Sequence, residues 1–164
     1  MWSTNTTTKS IYVSTLGSDE IGDGSEGNPY STIQKGIDNA YDGDSVFVAA
    51  GEYVENINFN GKNIVLIGEN KSTTIINGDQ SGSAVTINNG ETNECFVSDF
   101  TLVNGTGQIS GEGVNMGGGV YVNAPVRLNN LIIMENIAPA VYFANNSGEA
   151  CLLYTSPSPR DNRV

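Results

Sequence analysis

Histidine is absent from this chain, and that absence excludes a good deal. A chain without imidazole has no Ser-His-Asp triad and no His-ligated zinc site. Basic residues are scarce: 7 Lys+Arg stand against 18 Asp+Glu, for a net charge of −11. Phosphate-backbone binding needs clustered cations that release counterions, so nucleic acid is not an expected partner. Anionic membrane surfaces are disfavoured for the same reason. No stretch approaches the ~20 apolar residues of a membrane span. The start, Met1-Trp2-Ser3-Thr4-Asn5, lacks the apolar region of a signal peptide, so a leader would lie upstream if the protein is exported. There are two cysteines. Cys95 lies in the run Cys95-Phe96-Val97 and reads as a small buried hydrophobe.

The other cysteine, Cys151, opens a segment of different character. Residues 151–164 contain Pro157, Pro159, Arg160 and Arg163, and the β-like pattern stops there. Cys151–Asp161 resembles the conceptual translation of a transposase-type sequencing adapter. The segment is therefore expected to be a non-native tail, the alternative being an extended Ser/Pro linker. On this reading the native chain would continue past Ala150, and its last coil would be cut short.

What the sequence does contain is short apolar runs bounded by Asn, Gly and Asp. Residues 1–10 read as a flexible lead-in. An N-terminal cap is expected over 11–45: a strand at Ile11-Tyr12-Val13, a Gly/acid-rich loop over 17–27, and a helix over 31–42. Ser31 and Gln34 fit a capping box. Ile33, Ile37, Ala40 and Tyr41 share one helical face, and Gly43 suits the residue that ends a helix. A lone helix with one apolar stripe would cover the open end of a core.

From residue 46 to 150 the strands recur. One line starts at Ile64, Val85, Val120 and Val141, with steps of 21, 35 and 21. Removing the 14-residue loop Gly105–Gly118 returns the long step to 21. A second line runs through Ile57, Ile75, Phe100 and Leu131. Such repetition predicts about five stacked coils, with insertions mapped to loops. Ile64/Val85/Val120/Val141 and Leu66/Ile87/Val122/Phe143 would form internal columns ~4.8 Å apart. Tyr121 and Tyr142 would stack outside, and Asn104 and Asn136 read as turn amides, a ladder between them being the alternative. The fold class predicted is all-β: a right-handed single-stranded parallel β-helix with one N-terminal capping helix. A β-sandwich is the alternative, for which Asn60-Gly61 and Asn77-Gly78 would serve as hairpin turns.

Longer motifs carry a family resemblance. Gly17-Ser18-Asp19, Asn28-Pro29-Tyr30-Ser31-Thr32-Ile33-Gln34, Gly43-Asp44-Ser45-Val46-Phe47-Val48 and Gly51-Glu52-Tyr53 resemble the N-terminal module of pectin-lyase-like right-handed β-helix proteins. Gly117-Gly118-Gly119-Val120-Tyr121 and Asn129-Asn130-Leu131-Ile132-Ile133 resemble their later coils. The likeness covers roughly residues 11–148. It implies an extracellular or cell-surface location and a fold that serves lyases, hydrolases, epimerases and adhesins alike.

Lyases of this kind need a Lys or Arg base and usually Ca²⁺, whereas hydrolases need converging carboxylates. Asp99, Glu112, Glu135 and Arg127 are the nearest groups, but no family motif assigns any of them, so no catalytic residue is predicted. Asp99 and Glu135 read as turn or solvated residues, and Arg127 as outward-facing. Asp19, Asp23, Ser25 and Glu26 supply oxygen atoms at a spacing that could hold Ca²⁺, although Asx turns explain the same residues. The loop Gly105–Gly118 could contact a ligand. Two functions remain open: a polysaccharide-binding or -processing protein whose catalytic coils are missing, or a non-catalytic surface or adhesion protein. Self-association through an open C-terminal coil is also expected.

Overall fold

The computed structural model describes residues 7–109 and 113–144. Glu112, Cys151, the coil residues after 144 and the tail lie outside the described residues.

A first strand, β1 (Ser10–Val13), precedes α1 (Ile33–Asn39), the single helix among the described residues. Four coils follow. The first holds β2 (Ser45–Val48), β3 (Gly51–Val54) and β4 (Ile57–Asn58). The second holds β5 (Val65–Gly68), β6 (Thr74–Asn77) and β7 (Val85–Ile87). The third holds β8 (Phe96–Ser98), β9 (Thr101–Val103), a short pair β10 (Gln108–Ile109) and β11 (Asn115–Met116), and β12 (Val120–Val122). The fourth holds β13 (Arg127–Asn129), β14 (Ile132–Ile133) and β15 (Val141–Phe143).

Each coil contributes one strand to each of three sheets. The first sheet runs β1-β2-β5-β8-β13, the second β3-β6-β9-β14 and the third β4-β7-β12-β15. Every pairing in them is parallel; among the described strands only β10 and β11 pair antiparallel. A sandwich of hairpins is thereby excluded. Asn60 and Gly61 do take positive φ (53° and 82°), but their turn leads from the third sheet into the first rather than joining paired strands.

Inward residues stack from coil to coil because the strands pair in register. Ile11, Val46, Leu66, Val97 and Leu128 form one buried column. Tyr53, Ile76, Leu102 and Ile133 form a second. Ile57, Val85, Val120 and Val141 form a third, as Val85, Val120 and Val141 were expected to. Ile87, Val122 and Phe143 align beside them, and Tyr121 stacks on Tyr142 with ring centroids 5.5 Å apart.

Two expected alignments are corrected. Ile64 and Leu66 belong to the first sheet, where Leu66 faces Val97; Ile57 takes Ile64's expected place. Ile75 faces Thr101 rather than Phe100, one residue off the second expected line. Among the described residues there are four complete coils where about five were expected over 46–150, because β1 joins the first sheet without a complete turn of its own. The physical reason is that only strands must stack, so the loops are free to vary. Successive partners in the third sheet lie 28, 35 and 21 residues apart, and no constant period exists. The 35-residue step does contain the Gly105–Gly118 insertion, as expected. Its two feet touch: a Cβ on Gly105 would fall 1.8 Å from the Gly118 carbonyl oxygen, which requires glycine there.

Asn104 and Asn136 do not form a ladder. Asn104 donates to Asn77 Oδ1 at 3.1 Å. Asn136 donates to the Leu102 and Met134 carbonyls and accepts from the Gly105 N–H. An amide–carboxylate pair does cross coils elsewhere: Asn130 donates to Asp99, and Lys71 Nζ donates to Asn130 Oδ1 at 2.7 Å.

The helix is shorter than the expected 31–42 and starts later. Thr32, not Ser31, is its N-cap, accepting from the Lys35 N–H at 3.3 Å. Gln34 spends its side chain on Asn58 and Asp38 rather than on a capping box. The remaining N-terminal amides are satisfied from outside the helix. Glu55 accepts from Ile33 and Gln34, and Asp19 from Ser31 and Thr32. The far end stops at Ala40 because Asp44 captures the Tyr41 N–H at 2.9 Å and Lys62 Nζ takes the Ile37 and Asp38 carbonyls. Tyr41 is consequently 79% exposed and off the apolar face, whereas Ile33, Ile37 and Ala40 are buried as expected. Gly43 has φ 89° but lies past the helix end. Gly36 lets the helix sit directly on β1 and β2: a Cβ there would lie 2.8 Å from Val13 Cγ2 and 3.1 Å from Val46 Cγ1. The helix thus covers the start of the core.

Candidate functional site

Strands of the first sheet alternate inward and outward residues. One outward row runs Tyr12, Phe47, Ile67, Ser98, Asn129, and the next Ser10, Ser45, Val65, Phe96, Arg127. Parallel pairing in register lays these side chains over one another. Tyr12 and Phe47 stack, with ring centroids 5.5 Å apart and planes 25° from parallel. The Arg127 guanidinium lies over the Phe96 ring at 5.4 Å.

The stacked rings sit in an open groove of about 590 Å³. Tyr12, Phe47 and Ile67 line it from the sheet, Glu26 and Pro29 from the loop after β1, and Glu69 from the end of β5. The loop is fixed to the edge of β1: Tyr12 donates to the Gly24 carbonyl, and Tyr30 donates to the Tyr12 carbonyl. Glu69 Oε2 accepts from the Ala50 N–H at 2.9 Å, which holds that carboxylate at the rim. A concave, largely apolar surface with a few placed polar groups is the usual form of a small-ligand or chain-binding site.

The candidate cation ligands Asp19, Asp23, Ser25 and Glu26 have separate placements. Asp19 accepts from the Ser31 and Thr32 N–H groups and, at 2.6 Å, from the Thr32 hydroxyl. Partial burial opposes its ionisation, but these hydrogen bonds outweigh it and hold the carboxyl below its ordinary value. Asp23 Oδ1 accepts from the Ser25 N–H, an Asx turn that likewise keeps its carboxyl low. Glu26 lines the groove. Among the described residues no group of three or more Cys, Asp or Glu side chains is arranged to hold a metal ion.

The remaining sequence candidates are turn and surface residues. Asp99 has φ 67° and accepts from the Ser98 hydroxyl and the Asn130 amide. Glu135 is exposed with φ 57°, and Arg127 faces outward. Two shifted groups lie apart from the groove chemistry. Burial raises Glu55 above its ordinary value despite its bonds to two helix amides. Burial also pushes the Cys95 thiol up to about 12.

The groove was not foreseen from the sequence, although a signal was present. Tyr12 and Phe47 are each the middle residue of an apolar triplet, so strand alternation turns them outward while their neighbours go in.

No family model and no curated protein matches the sequence. Among solved structures the chain is similar to a pectin methylesterase from carrot, with a TM-score of 0.57 and 17% identity. The match covers 81% of this chain and 41% of that one. The chain is a right-handed parallel β-helix. At this identity the likeness is one of fold, and the β-helix spans about two-fifths of the carrot protein's length. In this β-helix the groove occupies the outer face of the first sheet, beside the helix-capped end of the core.

Proposed function

We propose that this chain belongs to an extracellular β-helix protein that binds polysaccharide along the outer face of its first sheet. The observation that carries the reading is the stacked Tyr12–Phe47 pair in the groove. A pyranose ring presents a flat face of C–H bonds, and the apolar surface of the stacked Tyr12–Phe47 pair, continued by Ile67 in the same row, complements it. The fold shared with a pectin methylesterase supports the same class of ligand. Processing of the polysaccharide by elimination or hydrolysis would belong to the whole protein. The described coils alone are expected to give no turnover, checked by the absorbance of unsaturated product on uronate polymers.

Binding is tested by titrating the protein with glycan oligomers. Removing one stacking ring, as in Phe47→Ala, should weaken binding about fivefold, corresponding to roughly 1 kcal/mol. A Tyr12→Ala/Phe47→Ala variant that binds as the parent does would refute the site.

A non-catalytic surface role is the second reading, favoured by the cross-coil Lys71–Asn130–Asp99 chain and the Tyr121–Tyr142 stack, which suit a stiff stalk. Among the described residues β13, β14 and β15 each pair on one side only, and self-association through that end is part of the proposal. Light scattering that finds only monomer at high concentration would remove it.

A further inference from the structure

We propose that the groove selects glycans bearing free amines, as in a glucosamine polymer, over polyuronates. This rests on the reading of the groove as a glycan site and adds the charge of its ligand.

Glu26 and Glu69 line the groove, and no Lys or Arg does. Four of the five described cations are engaged elsewhere, and the fifth, Lys9, is exposed and does not line the groove. Lys35 lies over Tyr30, Lys62 binds helix carbonyls, Lys71 binds Asn130 and Arg127 lies over Phe96. Lys9 precedes β1. Arg127 is three strands from Phe47, about 14 Å at ordinary strand spacing, and beyond the ~8 Å screening length of physiological salt. The protein as a whole carries −11. A polyuronate, with one carboxylate per sugar, would bring like charge onto Glu26 and Glu69 with no cation in the lining to offset it. An ammonium would instead find carboxylates of opposite sign in the lining, Glu26 from the loop after β1 and Glu69 from the end of β5.

The test is titration of the full chain at physiological salt with oligomers of glucosamine, N-acetylglucosamine and galacturonate. The glucosamine oligomer should bind most tightly, the acetylated one several-fold more weakly, and galacturonate not measurably. Glu26→Gln/Glu69→Gln should cut glucosamine affinity about tenfold, two surface pairs together, and weaken the acetylated oligomer by much less. Tyr12→Ala/Phe47→Ala should weaken both. Galacturonate binding as tight as glucosamine, or equal binding of both amino sugars untouched by the Gln variant, overturns the charge inference while the glycan site stands. Glucosamine binding that survives loss of the rings reflects bulk charge and also overturns it. Binding of no oligomer brings down the glycan site itself, and the charge inference with it.

Discussion

Gly36 offers a substitution whose sign separates two physical expectations. On an exposed helix, Gly→Ala stabilises by about 1 kcal/mol, because glycine loses more backbone freedom on folding. Here the new methyl would lie 2.8 Å from Val13 Cγ2 and 3.1 Å from Val46 Cγ1. Both neighbours are buried, β-branched and held in strands, so neither can rotate aside cheaply. Overpacking of this kind costs about 1–3 kcal/mol. Against the propensity gain, the net for Gly36→Ala is about 1 kcal/mol of destabilisation, or a Tm lower by about 2–4 °C for a domain of this size. Gly27 serves as the control: a Cβ there meets nothing within 4 Å, so Gly27→Ala should stay within about 0.5 kcal/mol of the parent. Circular dichroism melts of the three proteins decide the matter. A Gly36→Ala protein more stable than the parent would mean that the helix is not seated on the first two strands of the core.

Further outcomes follow from the buried polar groups. Because burial raises Glu55, its contribution is greatest below its ordinary 4.5 and is lost as pH rises through its folded value; Glu55→Gln should flatten that fall in a stability–pH profile. Asp19 is lowered, so its contribution is present above 3.8 and lost as pH falls through its folded value, and Asp19→Asn should flatten the acid limb instead. In a Cys151→Ser protein, Cys95 should react with a thiol reagent only after denaturant is added, since it is fully buried with its thiol pushed up to about 12; rapid native labelling would contradict the packing. Ser83 Oγ is buried with no hydrogen-bond partner among the described residues, so Ser83→Ala should leave stability unchanged or raise it by about 1 kcal/mol in urea unfolding. Calcium should leave the Tm where a chelator leaves it, because Asp19 and Asp23 already serve backbone amides; a calcium-dependent rise would show that the loop can rearrange to ligate it.

The coil architecture was legible because side-chain alternation and β-branched runs are local signals. Val85, Val120 and Val141 were placed correctly once the insertion was set aside. Ile64 was misplaced because its 21-residue distance from Val85 matches one true step by coincidence, while coil lengths are set by loops that the core does not constrain. The helix face was readable from Ile33 and Ile37, but its boundaries were not. Its amides are capped by Asp19 and Glu55, which lie 12 or more residues away in sequence and leave no local trace. The groove was hidden for the same reason. Tyr12 and Phe47 are 35 residues apart, and only pairing between strands brings their rings together.

The touching feet of the Gly105–Gly118 excursion make the scaffold indifferent to what the excursion contains. The chain leaves and re-enters the stack at nearly one point, so residues between Gly107 and Gly117, inside the fixed glycine neck, can be added or exchanged without shifting the strands above or below. Closing a longer loop adds only about 0.6 kcal/mol for each doubling of its length. Foreign peptides grafted between Gly107 and Gly117 should therefore be carried as cargo, making this neck the natural port for displaying a second recognition element on the same rod.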